Sequence, residues 1–184
     1  MNKQLIAKLA VIAALGALGT FAASANAATA TANFQVLMKI NSSCSVTAGA
    51  GSNIQLGAVA GVAASAAVGT TNSSNFSVTC SNGTPYNVAL QSGNNASTTG
   101  LGTLKGAIAG NADTITYQLY KTAVAAGNEW GNSGVTASAT GNGVGGTGTG
   151  SGQSITVFAK ATATSVPSVT PDSYSDTVTV TAYY

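Results

Sequence analysis

The sequence predicts an all-β protein built as an antiparallel sandwich. Apolar and polar residues alternate with period two in segment after segment, a helical period is missing, and Gly/Asn/Ser runs separate the segments. Such alternation suits strands with one face buried and one solvated, and several short Val-, Thr- and Tyr-rich strands point to two packed sheets.

Taken in order, residues 1–27 have the layout of a cleavable secretory signal. Lys3 and Lys8 form a positive start, 9–18 an apolar stretch, and Ala25-Asn26-Ala27 a small-residue cleavage site. An apolar run of about ten residues is too short to cross a bilayer roughly 30 Å thick. The expected product is therefore exported, begins at Ala28 and forms one domain. Phe76, Val78 and Cys80 then alternate with Ser77 and Thr79, 81–85 supplies turn chemistry, and Tyr86, Val88 and Leu90 alternate again, which reads as a hairpin. Ile115, Tyr117 and Leu119 mark another strand, and Ile155, Val157 and Ala159 a further one. A last strand covers 177–184, with Val178, Val180, Ala182 and Tyr184 on one face. The alanine-rich 58–68 stretch, broken by glycines, reads as a loop or weak strand. The low-complexity 141–152 segment reads as a flexible surface loop, and its G-x-G-x-x-G spacing as a chance match because no helix pattern follows.

Composition excludes much chemistry. Charged residues make up 5% of the chain, against about 25% in ordinary domains. After the signal, Lys39, Lys105, Lys121 and Lys160 balance Asp113, Glu129, Asp172 and Asp176, and arginine and histidine are absent. Without histidine, Ser-His-Asp, Cys-His and H-E-x-x-H sites cannot be built. Without a basic surplus there is no footprint for nucleic acid. Asp172 and Asp176 are the one conceivable carboxylate pair, and they read as solvated residues leading into the last strand. The expectation is a protein that is not an enzyme and needs no metal or cofactor. A neutral Thr/Ser/Asn/Gly surface suits a chain that ends inside an assembly, or a neutral secreted monomer. Cys44 and Cys80, the only cysteines of an exported chain, are expected to form one disulfide.

The segment 28–40 sits ahead of Cys44 and alternates along its length. Its even positions are Ala28, Ala30, Ala32, Phe34, Val36, Met38 and Ile40, and its odd ones are mostly polar, with Leu37 the exception. By pattern alone it is a first strand of the protein's own sandwich.

Several stretches resemble a known family. "ANFQVLMKINSSCSV", "FSVTCSNGTPYNVAL", "TITYQLYK" followed by Trp130-Gly131, "GQSITVFAKA" and "YSDTVTVTAYY" occur in the order of the spore coat protein U domain. That domain is found in subunits of archaic chaperone–usher pili, and the likeness is greatest to the major pilin type of the Csu pilus. The resemblance implies an immunoglobulin-like sandwich lacking its final strand, completed by the N-terminal strand of a neighbouring subunit. In those terms 28–40 is the donor segment, with Phe34, Val36, Met38 and Ile40 as its plugs, and 41–184 is the pilin domain. The implied partners are other pilin subunits, a periplasmic chaperone and an outer-membrane usher; the implied location is the cell surface. The implied role is a structural pilus subunit for adhesion and biofilm. The alternative is a monomeric secreted binding or coat protein whose front strand completes its own sandwich.

Overall fold

The computed structural model describes residues 28–58, 71–122, 124–162 and 169–184. The expected signal, and the 58–68 stretch beyond Ala58, lie outside them. The chain divides into two units, one ending at Lys39 and one covering Ile40–Tyr184. In the first, residues 28–39 carry no regular secondary structure.

Among its described residues the second unit holds nine strands: β1 (Cys44–Thr47), β2 (Thr71–Cys80), β3 (Pro85–Ser92), β4 (Leu101–Gly106), β5 (Thr114–Tyr120), β6 (Val144–Thr147), β7 (Gly152–Thr162), β8 (Tyr174–Ser175) and β9 (Val178–Tyr183). The described helical content is a single 3-10 turn, Ala50–Ser52. All pairings are antiparallel. One sheet has the order β1-β2-β7-β5-β4-β8, and the other β6-β3-β9. The all-β antiparallel sandwich expected from the alternation is the observed fold.

Alternation explains which residues face inward. Phe76, Val78 and Cys80 of β2, Tyr117 and Leu119 of β5, and Val157 and Ala159 of β7 pack against Tyr86, Val88 and Leu90 of β3. Strand β3 is buried on both faces because the 131–140 segment covers its outer side. The Asn87 amide donates to Thr136 O and accepts from Thr140 Oγ1, both at 2.8 Å. Trp130, the single tryptophan and fully buried, ties the layers together. Its backbone N–H donates to Leu119 O, its indole Nε1–H to Val88 O at 2.9 Å, and the next carbonyl, Gly131 O, accepts from Leu90.

Two elements depart from the sequence reading. The 141–152 segment is not simply a flexible loop, since it contains β6, paired to β3 with Val88 opposite Val144. Its glycines serve close backbone approach: a Cβ on Gly148 would lie 2.3 Å from Ser81 O. Strand β4 was hidden because Gly102 occupies a core-facing position, where the Tyr117 ring fills the space a side chain would take, 2.0 Å from an ideal Cβ.

Cys44 and Cys80 are joined by a disulfide and sit opposite each other in the β1–β2 ladder. The bridge closes a loop with a sequence separation of 36. In the chain-entropy account such a loop contributes about 4 kcal/mol. Replacing both cysteines by serine is expected to lower the unfolding free energy by about 2–4 kcal/mol in urea titrations followed by Trp130 fluorescence. A loss under about 1 kcal/mol would show that the bridge is not a main support of the fold.

Candidate functional site

Among the described residues, with three strands in one sheet and six in the other, the core is left incompletely covered along β9. Among the described residues β9 pairs with β3 alone, so its outer edge presents unpaired backbone groups. Across from that edge, the chain leaves β1 through the 3-10 turn and runs along β2 as residues 53–58. Ser74 Oγ donates to Gly51 O at 3.3 Å and the Asn72 amide to Gln55 O at 2.6 Å, which hold this stretch in place.

An apolar cleft of about 370 Å³ opens between the two margins. Phe76, Leu90, Leu104, Leu119 and Val157 form its floor, and Ala48, Ile54, Leu56, Val178 and Val180 its walls. A second, more polar cleft of about 720 Å³ shares Ile54, Leu56, Leu104 and Asp176 and extends past Ile115 and Ala161 toward 169–175. Together they make a groove whose floor is the core itself. A concave apolar site with an open strand edge beside it has the chemistry to take an extended peptide: main-chain bonds on one side and alternate side chains downward.

One carboxylate anchors the start of β9. Asp176 Oδ2 accepts from Ser92 Oγ and from Tyr117 Oη, the latter at 2.7 Å. Its Oδ1 accepts from the backbone N–H groups of Asn94 at 3.0 Å and Thr177 at 2.7 Å. The Tyr117 hydroxyl reaches Asp176 because its ring lies over Gly102. Burial, and then the Asp176 carboxylate, push the Tyr117 phenol well above its ordinary range. Asp172 is likewise engaged: Ile108 N–H at 2.9 Å and the Asn111 amide at 2.8 Å donate to its Oδ2. Those contacts, led by Ile108, hold its carboxyl below the usual range. Neither aspartate is the freely solvated residue the sequence suggested. Each is a hydrogen-bond hub, its partners drawn from segments far away in the chain.

The four apolar residues proposed from the sequence as plugs are all solvent-facing: Phe34 and Val36 are 87% exposed, Met38 84% and Ile40 79%. They belong to a stretch without strand structure. Sequence reasoning did not find the lining of the groove, because Ile54, Leu56 and Leu104 lie in short segments with little alternation to mark them.

Residues 30–181 match the Spore Coat Protein U domain. The chain belongs to that family. No curated protein matches it. Among solved structures, it is similar to a chain in the crystal structure of the CsuC-CsuE chaperone–tip adhesion subunit pre-assembly complex, from the archaic chaperone–usher Csu pili of Acinetobacter baumannii. The identity is 18% and the TM-score 0.49, over 79% of this chain and 40% of that one. The chain thus spans well under half the length of that solved chain.

The Asp176 cluster gives a prediction whose sign follows from the phenol. Tyr117 is held neutral in the folded state, so its contribution is fully present below about pH 10, the unfolded phenol's pKa, and is lost as pH rises toward the higher folded value. Tyr117→Phe is expected to cost about 1–3 kcal/mol at neutral pH, because Asp176 loses a donor. It should also flatten the fall in stability above pH 10, read from urea midpoints at successive pH values. An unchanged alkaline slope would remove Tyr117 from the account.

Proposed function

We propose that this protein is a structural subunit of a chaperone–usher pilus that polymerises by donor-strand complementation. The observation that carries this reading is the groove: a strand edge beside an apolar cleft that opens directly onto the core. Residues 28–40 of a second copy supply a matching insert. Phe34, Val36, Met38 and Ile40 are spaced by two, so an extended backbone sends all four toward one face. They span six residue steps, about 20 Å, close to the length of the six-residue β9. Burying them contributes roughly 6–12 kcal/mol gross, at about 1.5–3 each. A polymer joined in this way dissociates slowly, with kinetic stability in control.

In this reading residues 1–27 direct export and are removed, 28–40 is the donor segment, and 41–184 is the acceptor domain. A periplasmic chaperone occupies the groove first, and the exchange takes place at an outer-membrane usher. The fibre is then displayed on the cell surface, where it serves adhesion and biofilm formation. The role is mechanical rather than catalytic, in keeping with a chain that lacks histidine and whose Asp172 and Asp176 are engaged in structural hydrogen bonds. The near-neutral surface suits subunits packed along a rod.

The test uses surface material sheared from cells that express the protein with its neighbouring secretion genes. The expected result is a ladder of multimers on an unboiled SDS gel that collapses to one band on boiling, with thin fibres in the electron microscope. Val36→Asp should reduce the ladder at least ten-fold, since it would bury a carboxylate in an apolar cleft. A single unboiled monomer band without fibres, from well-expressed protein, would instead support the secreted monomeric binding or coat protein.

A further inference from the structure

We infer that residues 169–177 form a strap along the second cleft which ionised carboxylates hold in place and acid releases, while the core beneath stays folded. The strap lacks the hold of a packed segment, since none of residues 169–177 is buried. Its ladder pairing is limited to Tyr174 and Ser175 of β8, opposite Gly106 and Lys105. Two further backbone bonds reach it, from Ala107 N–H to Ser173 O at 3.0 Å and from Gly93 N–H to Thr177 O at 2.8 Å. Segments with few buried apolar contacts are the ones that open locally at little cost.

Carboxylates supply the rest. Asp113, in the turn between β4 and β5, accepts from the Thr170 backbone N–H at 2.8 Å and from its hydroxyl at 2.6 Å. Asp172 answers from the strap, accepting from Ile108 N–H and the Asn111 amide of that same turn, and from Ser173 N–H at 2.7 Å. It lies so close over β4 that a Cβ on Gly106 would fall 2.5 Å from its Oδ2. Asp176 ties the far end of the strap to Ser92, Asn94 and Tyr117. Three of the chain's four acidic side chains thus hold one short segment.

An ionised carboxylate only accepts, so every one of these N–H and O–H groups can point at it. Once protonated, it carries an O–H that faces those donors, and its remaining bonds lose their charge assistance. The Thr170 hydroxyl and the Ile108 N–H lead in holding the Asp113 and Asp172 carboxyls, respectively, below the usual range. Their contribution is therefore complete above about pH 4, the unfolded carboxylate's value, and is lost as pH falls through the lower folded values. The other titratable groups facing the strap are Tyr117, Tyr174 and Lys105. Phenols and ammonium groups titrate at about pH 10, so in acid the carboxylates alone change charge. The core of Phe76, Val78, Leu119, Trp130 and Val157 contains no carboxylate and keeps its burial. Release of the strap uncovers Leu104 and Ile115, which line the second cleft with it, and frees the chain leading into β9.

The test is hydrogen–deuterium exchange of the purified, oxidised chain at pH 7 and pH 3, corrected for the intrinsic pH dependence of exchange, with Trp130 fluorescence reporting the core. Peptides spanning 105–113 and 169–177 are expected to lose protection at least ten-fold at pH 3, while 153–161 keeps its own. Asp113→Asn combined with Asp172→Asn removes both charges at nearly constant size, and should give at pH 7 the strap exchange that the parent shows only at pH 3. Strap protection that persists at pH 3, or that disappears together with that of 153–161, overturns the proposal. So does a folded double variant whose strap is as protected at pH 7 as the parent's. Should the double variant fail to fold, the pH series of the parent chain decides the matter alone.

Discussion

The unequal width of the two layers is the constraint on which the rest of this domain depends. Among the described residues a three-stranded sheet faces a six-stranded one and does not cover its inner face, and an apolar core face left open to water is a standing drive toward association. Among the described residues, the shortfall falls on one side of β9, where Phe76, Leu90, Leu104 and Leu119 remain reachable from outside. An open strand edge is ordinarily an aggregation hazard that folds blunt with charge, proline or a covering loop. Strand β9 itself carries neither charge nor proline, its residues being Val178, Thr179, Val180, Thr181, Ala182 and Tyr183.

An open groove is useful only if its margins hold their positions without an occupant, and the structure shows how they do. Asp176 gathers four donors at the start of β9, and Tyr117 reaches it across Gly102, so the edge is fixed to the opposite sheet through side chains rather than through a neighbouring strand. On the other margin, Asn72 and Ser74 hold the 51–55 backbone against β2. Beneath both, Trp130 links β5 to β3 through three hydrogen bonds to which it or the adjacent Gly131 is party. The margins of the groove are thus held in place by contacts within the domain itself.

The same economy explains the composition. Charge is scarce in this chain, and the described acidic side chains are spent on internal structure. Asp113 accepts from Thr170 and Asp172 from Ile108 and Asn111, while Asp176 supports β9. Covering the outer faces with Thr, Ser and Asn keeps the strands compatible with water while leaving them free of long-range repulsion between copies.

Much of this was legible in the chain. Strands β2, β5, β7 and β9 each turn one face to the core and so announce themselves by alternation, β3 shows the same alternation in Tyr86, Val88 and Leu90 although both its faces are covered, and the pairing of two cysteines behind a secretory-type leader pattern needed no geometry. The apolar periodicity of 28–40 was equally plain, because a side-chain period of two is a local property of extended backbone. What the sequence could not disclose was anything that depends on partners distant along the chain. Gly102 leaves β4 without an apolar mark because the Tyr117 ring takes its place, β6 was concealed by glycines whose purpose is close backbone approach, and Asp172 and Asp176 seemed solvated until Ile108, Asn111, Ser92 and Tyr117 converged on them. The sequence by itself determined an all-β, disulfide-linked chain with an apolar face at its front. Only the tertiary structure decided where the core lies open, since that is set by distances between elements rather than by a pattern within one.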